Sequence, residues 1–244
     1  DTYCCPCNYR RIISELPAMV FYHSQAGVVV NLFAPSQAKL SVDKDVPLIL
    51  RQETDYPNSG RVRLLLDPAH PVKFSLELRI PSWAKGPSVT VNGQPVRGPV
   101  KPGTFLAVTR EWQAGDEVVL ELPMPWRLVK GRQRQAGRVA VMRGPQVFCL
   151  NPAQNAELAK LDGVDLGRLA LDPKSLGAPV RSEVVRPDGL ACKVSMWKPG
   201  FGLNTRTDYE LTLTEFPDPD GKATYFRLRD YSAAVEDELF AGQK

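Results

Sequence analysis

The sequence predicts a mainly β protein with two antiparallel β-sandwich domains that follow an N-terminal helix. Short runs of β-branched and aromatic residues recur from Val28 onward, and Gly, Pro, Asn or Asp separates one run from the next. No segment between these runs has a helical pattern of comparable strength. Short strands at near-regular spacing are typical of antiparallel sandwiches. We therefore expect a helical segment in residues 1–24, a first sandwich over residues 25–126 and a second over residues 127–244.

Within the first sandwich, the clearest strand ends at Ile80. Its apolar side chains alternate with polar ones, which places one face in a core and the other in water. Asn92-Gly93 predicts a tight hairpin, because the primed turn needs positive φ at both central residues. Trp83 and Trp112 could stack on sugars, but their positions at strand ends favour the core. The predicted strands are 28–33, 39–42, 48–53, 61–66, 73–80, 88–91, 105–109 and 117–122.

In the second sandwich, Pro123-Met124-Pro125-Trp126 marks the start and fewer strands are evident. The basic segment 127–134 is interpreted as a solvated connector, and the acidic residues 236–238 are expected to fray. Cys149 and Cys192 fall in apolar strands and are expected to be buried. A turn is predicted at 217–221, and a short helix near 156–161. The predicted strands are 139–142, 146–150, 190–197, 209–213 and 224–228.

The N-terminal helix is predicted to run from a cap at Asn8 to about Tyr22. Apolar residues recur there at steps of three and four, and Pro17 predicts a kink or a break. His23, at the end of this stripe, is expected to be a packed or capping histidine. The predicted helix leaves a cluster of thiols at its start.

Three of the five cysteines, Cys4, Cys5 and Cys7, fall within four positions. The first backbone N–H groups of a helix lack intrahelical partners and favour a thiolate, which is both a nucleophile and a metal ligand. On spacing alone, inert thiols or a disulfide from Cys4 or Cys5 to Cys149 or Cys192 rank first. A self-contained zinc finger lacks its second ligand pair. A redox-active cluster ranks below the others, because no Cys-x-x-Cys in a thioredoxin-like βαβ context is present. A zinc-thiolate catalytic centre needs ligands from outside this chain.

Two motifs of the chain are fairly specific when they occur together: Cys4-Cys5-Pro6-x-Asn8 before a helix, and the Arg-Gly-Pro segment from Arg138 to Pro145. Further characteristic stretches are Val29 to Ser36, Leu78 to Trp83, Val91-Asn92-Gly93 and Gly115-Asp116. Together these motifs resemble the β-L-arabinofuranosidases of glycoside hydrolase family 127 and its relatives. The resemblance extends over most of the chain.

This resemblance implies a retaining glycosidase in which an (α/α)6 barrel precedes two β-sandwiches. Residues 1–24 would hold the last helix of that barrel. Cys4 would be the nucleophile and a zinc ligand, Cys5 a second zinc ligand and Cys7 a bystander. The remaining zinc ligands, a glutamate and a further cysteine, and the acid/base glutamate would lie upstream. The chain alone is then expected to be inactive.

Composition narrows the choice of partners. The formal net charge of +4 is mild, and no apolar run approaches the ~20 residues that a membrane-spanning helix needs. Composition therefore indicates neither nucleic acid nor a membrane as partner. The resemblance implies a carbohydrate substrate, an arabinofuranoside or a related glycan. Oligomeric state is left open, and so is compartment, although thiolate chemistry favours the cytoplasm.

The alternative is a non-catalytic carbohydrate-binding or structural module, since the chain offers no evident pair of carboxyl groups. A glycosidase needs two such groups, or a substitute nucleophile for one of them. The spacing of Asp43, Asp45, Glu53 and Asp55 does not pair them across a cleft. We expect these carboxylates to be solvated.

Overall fold

The computed structural model describes residues 4–43, 45–158, 166–199 and 206–238. These residues are mainly β, with antiparallel sheets, which confirms the predicted fold class. They fall into two compact units, one ending at Met124 (unit 1) and one beginning at Pro125 (unit 2). The sequence boundaries predicted for the two sandwiches remain predictions.

Unit 1 contains helix α1 and strands β1 to β10. A four-stranded sheet has the order β1-β2-β6-β9, and a six-stranded sheet has the order β3-β4-β5-β10-β7-β8. The bounds are α1 Cys4–Glu15, β1 Phe21–Ser24, β2 Gly27–Val30, β3 Ser36–Val42, β4 Val46–Thr54, β5 Arg61–Pro68, β6 Val72–Ile80, β7 Ser88–Val91, β8 Gln94–Pro95, β9 Thr104–Trp112 and β10 Asp116–Glu121.

The core of unit 1 is built from the alternating side chains of its strands. In β4 the buried Leu48 and Leu50 flank the exposed Ile49, so the strand covers the core with one face only. Trp112 is fully buried, lies 5.9 Å from Phe74 between ring centroids, and donates its indole N–H to the Phe74 carbonyl. The interpretation of Trp112 as a core residue is therefore confirmed.

The N-terminal segment differs from its prediction at both ends. Helix α1 begins at Cys4, four residues before Asn8, because Pro6 lies in the first turn, where a missing N–H costs no hydrogen bond. It ends at Glu15, and a 3₁₀ turn over Leu16–Met19 follows with Pro17 near its start, so the predicted break is confirmed. The extension to Tyr22 is wrong, since those residues form β1.

Unit 2 contains strands β11 to β19, which belong to one sheet. Their bounds are β11 Trp126–Lys130, β12 Arg138–Arg143, β13 Gln146–Leu150, β14 Ala170–Leu171, β15 Val180–Ser182, β16 Gly189–Pro199, β17 Arg206–Glu215, β18 Tyr225–Leu228 and β19 Ala234–Val235. The predicted short helix near 156–161 is a 3₁₀ turn over Ala156–Leu158, and residues 159–161 lie outside the described residues.

The hydrogen-bonded path in unit 2 closes on itself around the core. Strand β12 pairs along one edge with β11, and along the other with β18 through its first half and with β13 through its second half. From β13 the path runs through β17, β16 and β14 and returns to β18. The enclosed side chains include Phe148, Cys192 and Phe226, all at most 1% exposed. The expected burial of Cys149 and Cys192 is thereby confirmed.

The basic segment after Pro125 and the acidic residues near 237 are joined rather than solvated. Residues 126–130 form β11, and β19 pairs with it in parallel. Arg127 is buried, and its guanidinium donates to Glu238 and to the Gly144 carbonyl, while Lys130 Nζ lies 2.7 Å from a Glu236 oxygen. The frayed tail was a wrong prediction, and the solvated connector was wrong for residues 127–130, because each segment finds its partner more than a hundred residues away. Residues 132–134 are exposed, as predicted.

A buried carboxylate holds the turn between β17 and β18. Asp218 accepts hydrogen bonds from Thr214 Oγ1 at 2.7 Å, from Asn151 Nδ2 at 2.8 Å and from the Asp220 N–H at 3.0 Å. Burial acts to raise the pKa of Asp218, but these three donors outweigh it and leave the pKa below its ordinary value. The turn predicted at 217–221 is confirmed.

The β7-β8 hairpin is held by its first turn residue as well as by backbone shape. Asn92 and Gly93 have φ of 50° and 75°, as the predicted primed turn requires. The Asn92 side chain donates to the buried Asp116 at 2.7 Å and accepts from the Glu117 N–H at 2.8 Å. It thus connects the hairpin to β10.

We expect Asn92→Ala to lower the free energy of unfolding of unit 1 by about 2 to 4 kcal/mol, since it removes two hydrogen bonds and leaves alanine at positive φ. Asn92→Gly removes the same bonds without the backbone strain and should lose about 1 kcal/mol less. Urea denaturation, with hydrogen exchange of β7 and β10 amides, measures both. Equal losses would show that the backbone conformation contributes nothing.

We expect Thr214→Val to destabilise unit 2 by about 1 to 2 kcal/mol at neutral pH, because Asp218 loses a buried donor. A carboxylate with a lowered folded pKa adds stability above its unfolded pKa and loses it as pH falls through the folded pKa. The gap between the two proteins should therefore close in acid. Urea denaturation across pH measures it, with Thr212→Val on the same strand as the control. A gap that stays constant with pH would contradict the role of Asp218.

Candidate active site at the start of helix α1

The cysteine cluster lies in the first turn of α1. Cys5 and Cys7 are exposed, whereas the side chain of Cys4 lies outside the described residues. The disulfides considered from Cys4 or Cys5 to the two strand cysteines are not supported on the strand side, since Cys149 and Cys192 are unbridged and buried in unit 2. The N-terminal thiols are therefore presented at a helix start, as the sequence predicts.

The chain that follows α1 and its 3₁₀ turn is tied to the first sheet of unit 1 by hydrogen bonds. The Val20 carbonyl accepts from the N–H groups of Asn31 at 2.9 Å and Leu32 at 3.3 Å, and Asn31 Nδ2 donates to the Met19 carbonyl at 3.0 Å. The Arg79 guanidinium donates to the Asn31 carbonyl and lies over the Phe33 ring at 5.4 Å. Asn31, Phe33 and Arg79 all belong to the motif stretches, and no local pattern indicated that they hold this segment.

Helix α1 itself carries an exposed apolar surface. Tyr9 and Ile12 are 67% and 56% exposed, and Ile13 is exposed as well. None of the side chains described in α1 is buried. Most helical stability in proteins comes from packing an amphipathic face, so this face lacks the support that the apolar stripe predicts.

The other sequence candidates do not join the cysteines. His23 is an exposed residue of β1 rather than a helix cap. Glu53 pairs with Arg63 at 2.7 Å, and Asp55 accepts from Ser59, so these two carboxylates have local partners. Trp83 packs against the core of unit 1. These side chains provide no second catalytic group for the cysteines.

The buried thiols of unit 2 are unsuited to nucleophilic chemistry. Burial raises the pKa of Cys192 to about 12, and it also raises the pKa of Cys149. A thiol is a nucleophile only as the thiolate. Both cysteines therefore behave as small core residues, as expected.

As a zinc site, the first turn of α1 offers the right kind of donor but too few of them. Thiols are preferred zinc ligands, and a structural or catalytic zinc takes at least three protein ligands. Within the described residues no group of three His, Cys, Asp or Glu side chains could hold a metal ion. The adjacent cysteines at positions 4 and 5 thus fit as part of a ligand set.

Within the described residues, no helix is long and apolar enough to cross a membrane.

Comparison with known proteins identifies relatives in one enzyme family. Residues 27–124 match the model of the β-L-arabinofuranosidase GH127 middle domain. A non-reducing end β-L-arabinofuranosidase of Bifidobacterium longum subsp. longum is 33% identical over 163 residues, which cover 62% of this chain and 24% of that protein.

Solved structures extend the likeness to nearly the whole chain. A GH127 β-L-arabinofuranosidase from Geobacillus stearothermophilus T6 superposes with a TM-score of 0.80 at 24% identity over 93% of this chain, which shows the shared fold. A glycoside hydrolase gives 0.79 at 26% over 94%, and a GH127 β-arabinofuranosidase gives 0.77 at 28% over 96%.

The chain spans 37–40% of the length of those three structures. Its likeness is therefore to one part of each relative. The resemblance predicted from the sequence is confirmed: the chain is similar, over part of their length, to the β-L-arabinofuranosidases of glycoside hydrolase family 127.

Proposed function

We propose that this chain is part of a longer retaining glycoside hydrolase that acts on β-L-arabinofuranosides or related glycans. The observation that carries the proposal is the coincidence of two features. The chain matches GH127 relatives over both units, and its adjacent cysteines stand in the first turn of a helix tied to the GH127-like middle domain. The exposed apolar face of α1 supports packing against a further part of that protein.

In this proposal Cys4 is the nucleophile. Its thiolate attacks the anomeric carbon, and the leaving oxygen takes a proton from a carboxylic acid supplied from outside this chain. The resulting thioglycosyl bond is then hydrolysed by water, and two displacements at one carbon retain its configuration. The first N–H groups of a helix have no partner within the helix and lie at the positive end of its dipole, which favours the thiolate.

Cys4 and Cys5 are the residues of this chain that would hold zinc. A bound zinc ion would keep sulfur deprotonated at neutral pH. Cys7 lies beyond Pro6 and takes no part in the proposal. The other described residues have a positional role in this proposal, since Asn31 and Arg79 hold the segment that follows α1 against the sheet.

We expect Cys4→Ser in the longer protein to lower hydrolysis of a nitrophenyl β-L-arabinofuranoside by at least roughly a thousandfold, because a neutral hydroxyl replaces the nucleophile. Cys7→Ser is the matched control and should keep parental activity. The 244-residue chain alone should be inactive. Hydrolysis by Cys4→Ser at the parental rate would eliminate Cys4 as nucleophile.

We expect Cys5→Ser to reduce the zinc retained by the longer protein after dialysis, since a hydroxyl is a much poorer zinc ligand than a thiolate. Elemental analysis of the dialysed protein measures the metal, again with Cys7→Ser as control. A zinc content equal to that of the parent would remove Cys5 from the ligand set.

The non-catalytic alternative makes the opposite prediction for the chain alone. If it were a binding module, titration of the 244-residue chain with arabino-oligosaccharides would give measurable affinity. We expect none, because the proposed pocket requires residues from outside this chain.

A further inference from the structure

A cavity of about 580 Å³ lies against unit 2 where β12 and β18 pair. Val139 and Phe226, directly opposite each other, point into the core, so their neighbours Arg138 and Tyr225 lie on the other face of the sheet. Both line the cavity, with Gln135, Lys222 and Thr224. The volume is in the range of small-molecule sites and far exceeds the space of an inorganic ion.

Among the described residues, the positive charges of this cavity have no carboxylate beside them. Arg138 and Lys222 line it, and no Asp or Glu is among its described lining residues. Elsewhere in unit 2, Arg127, Lys130, Arg181 and Arg186 each pair with a carboxylate. Within the described part of the chain neither Arg138 nor Lys222 has such a partner. Two cations without a counter-charge favour an anionic ligand.

The strand register adds an independent sign of the same preference. Arg138 is directly opposite Arg227 in the β12-β18 ladder, and directly paired residues project to the same face. Like charges at such a position destabilise a sheet. An anion bound beside Arg138 would relieve this repulsion.

Gln135 supplies an acceptor that also lacks a partner. Its side-chain oxygen is buried and receives no hydrogen bond from the described residues. The loop that carries Gln135 is tightly closed, because a Cβ on Gly131 would lie 2.3 Å from the Gln135 carbonyl oxygen. Rotation about the terminal torsion of glutamine is soft, so the amide oxygen can turn towards a ligand hydroxyl. A buried acceptor gains most from such a donor.

We propose that this cavity binds a carboxylate-bearing sugar, a uronic acid unit of a glycan. The carboxylate accepts from Arg138 and Lys222, a ring hydroxyl donates to Gln135, and Tyr225 borders the ring with an aromatic surface. Inorganic anions satisfy the cations but leave most of the cavity empty. Neutral sugars leave the cations unpaired. This site goes beyond the glycosidase proposal and rests on residues of unit 2 alone.

The test is calorimetric titration of the 244-residue chain with galacturonate at low salt. Galactose, which has the same ring without the charge, should bind at least roughly tenfold more weakly, since a hydrogen bond to a charged group contributes about that factor. Arg138→Gln and Lys222→Gln should each weaken galacturonate binding roughly tenfold for the same reason. Lys193→Gln removes an equal charge from β16, away from the cavity, and should bind as the parent does.

Thermal unfolding separates binding from folding. Without ligand, Arg138→Gln should unfold at a temperature no lower than the parent, because it removes a like-charge pair. Galacturonate should raise the midpoint of the parent and of Lys193→Gln, and should raise that of Arg138→Gln by less at the same concentration. If Arg138→Gln fails to fold, Lys222→Gln is compared with the parent instead, since Lys222 is exposed. No galacturonate binding, equal binding of galactose, or an equal loss in Lys193→Gln overturns the proposal. If phosphate or acetate binds as tightly as galacturonate, the assignment of a sugar as the ligand is wrong.

Discussion

The carbonyl of Val20 holds the chain at the point where it leaves the helical segment and enters the first sheet of unit 1. It accepts hydrogen bonds from the N–H groups of Asn31 and Leu32. The Asn31 amide donates to the Met19 carbonyl, and Arg79 of β6 donates to the Asn31 carbonyl. Every side chain described in α1 is exposed, so the contacts that tie this segment to the sheet follow the helix rather than come from its face.

Local patterns predicted the parts of the fold whose determinants are local. The strands over Ser88–Val91 and Gln146–Leu150 have the predicted bounds, and the Asn92-Gly93 turn has the predicted φ values. The errors have a different origin. Apolar residues near Phe21 fit both helical and strand spacing, and over four residues the two cannot be separated. The strand from Trp126 was hidden by its charges, because Glu238, which pairs with Arg127, is 111 residues away in sequence.

The same division explains what could be predicted about the candidate site. Two adjacent cysteines followed by a proline form a signal within three positions, and a helix start is its natural setting. Zinc needs further ligands, and ligands brought together by folding leave no spacing in the sequence between them. The positional roles of Asn31 and Arg79 are equally nonlocal. Both residues lie in stretches that match the family motifs, but the local pattern of residues around them did not indicate what they contact.

Two arginines of unit 2, Arg127 and Arg138, differ in burial and in whether a carboxylate pairs with them. Arg127 is almost fully buried, and burying a guanidinium without a counter-charge is costly; its two terminal nitrogens donate to Glu238 and to the Gly144 carbonyl. Arg138, by contrast, is only half-buried, so water can screen its charge. Half-burial lets an arginine remain unpaired, yet the facing Arg227 raises its free energy. An arginine that faces a like charge gains more from a bound anion than a fully solvated arginine does. The proposed site therefore depends on the register of β12 and β18, and not on the net charge of the chain.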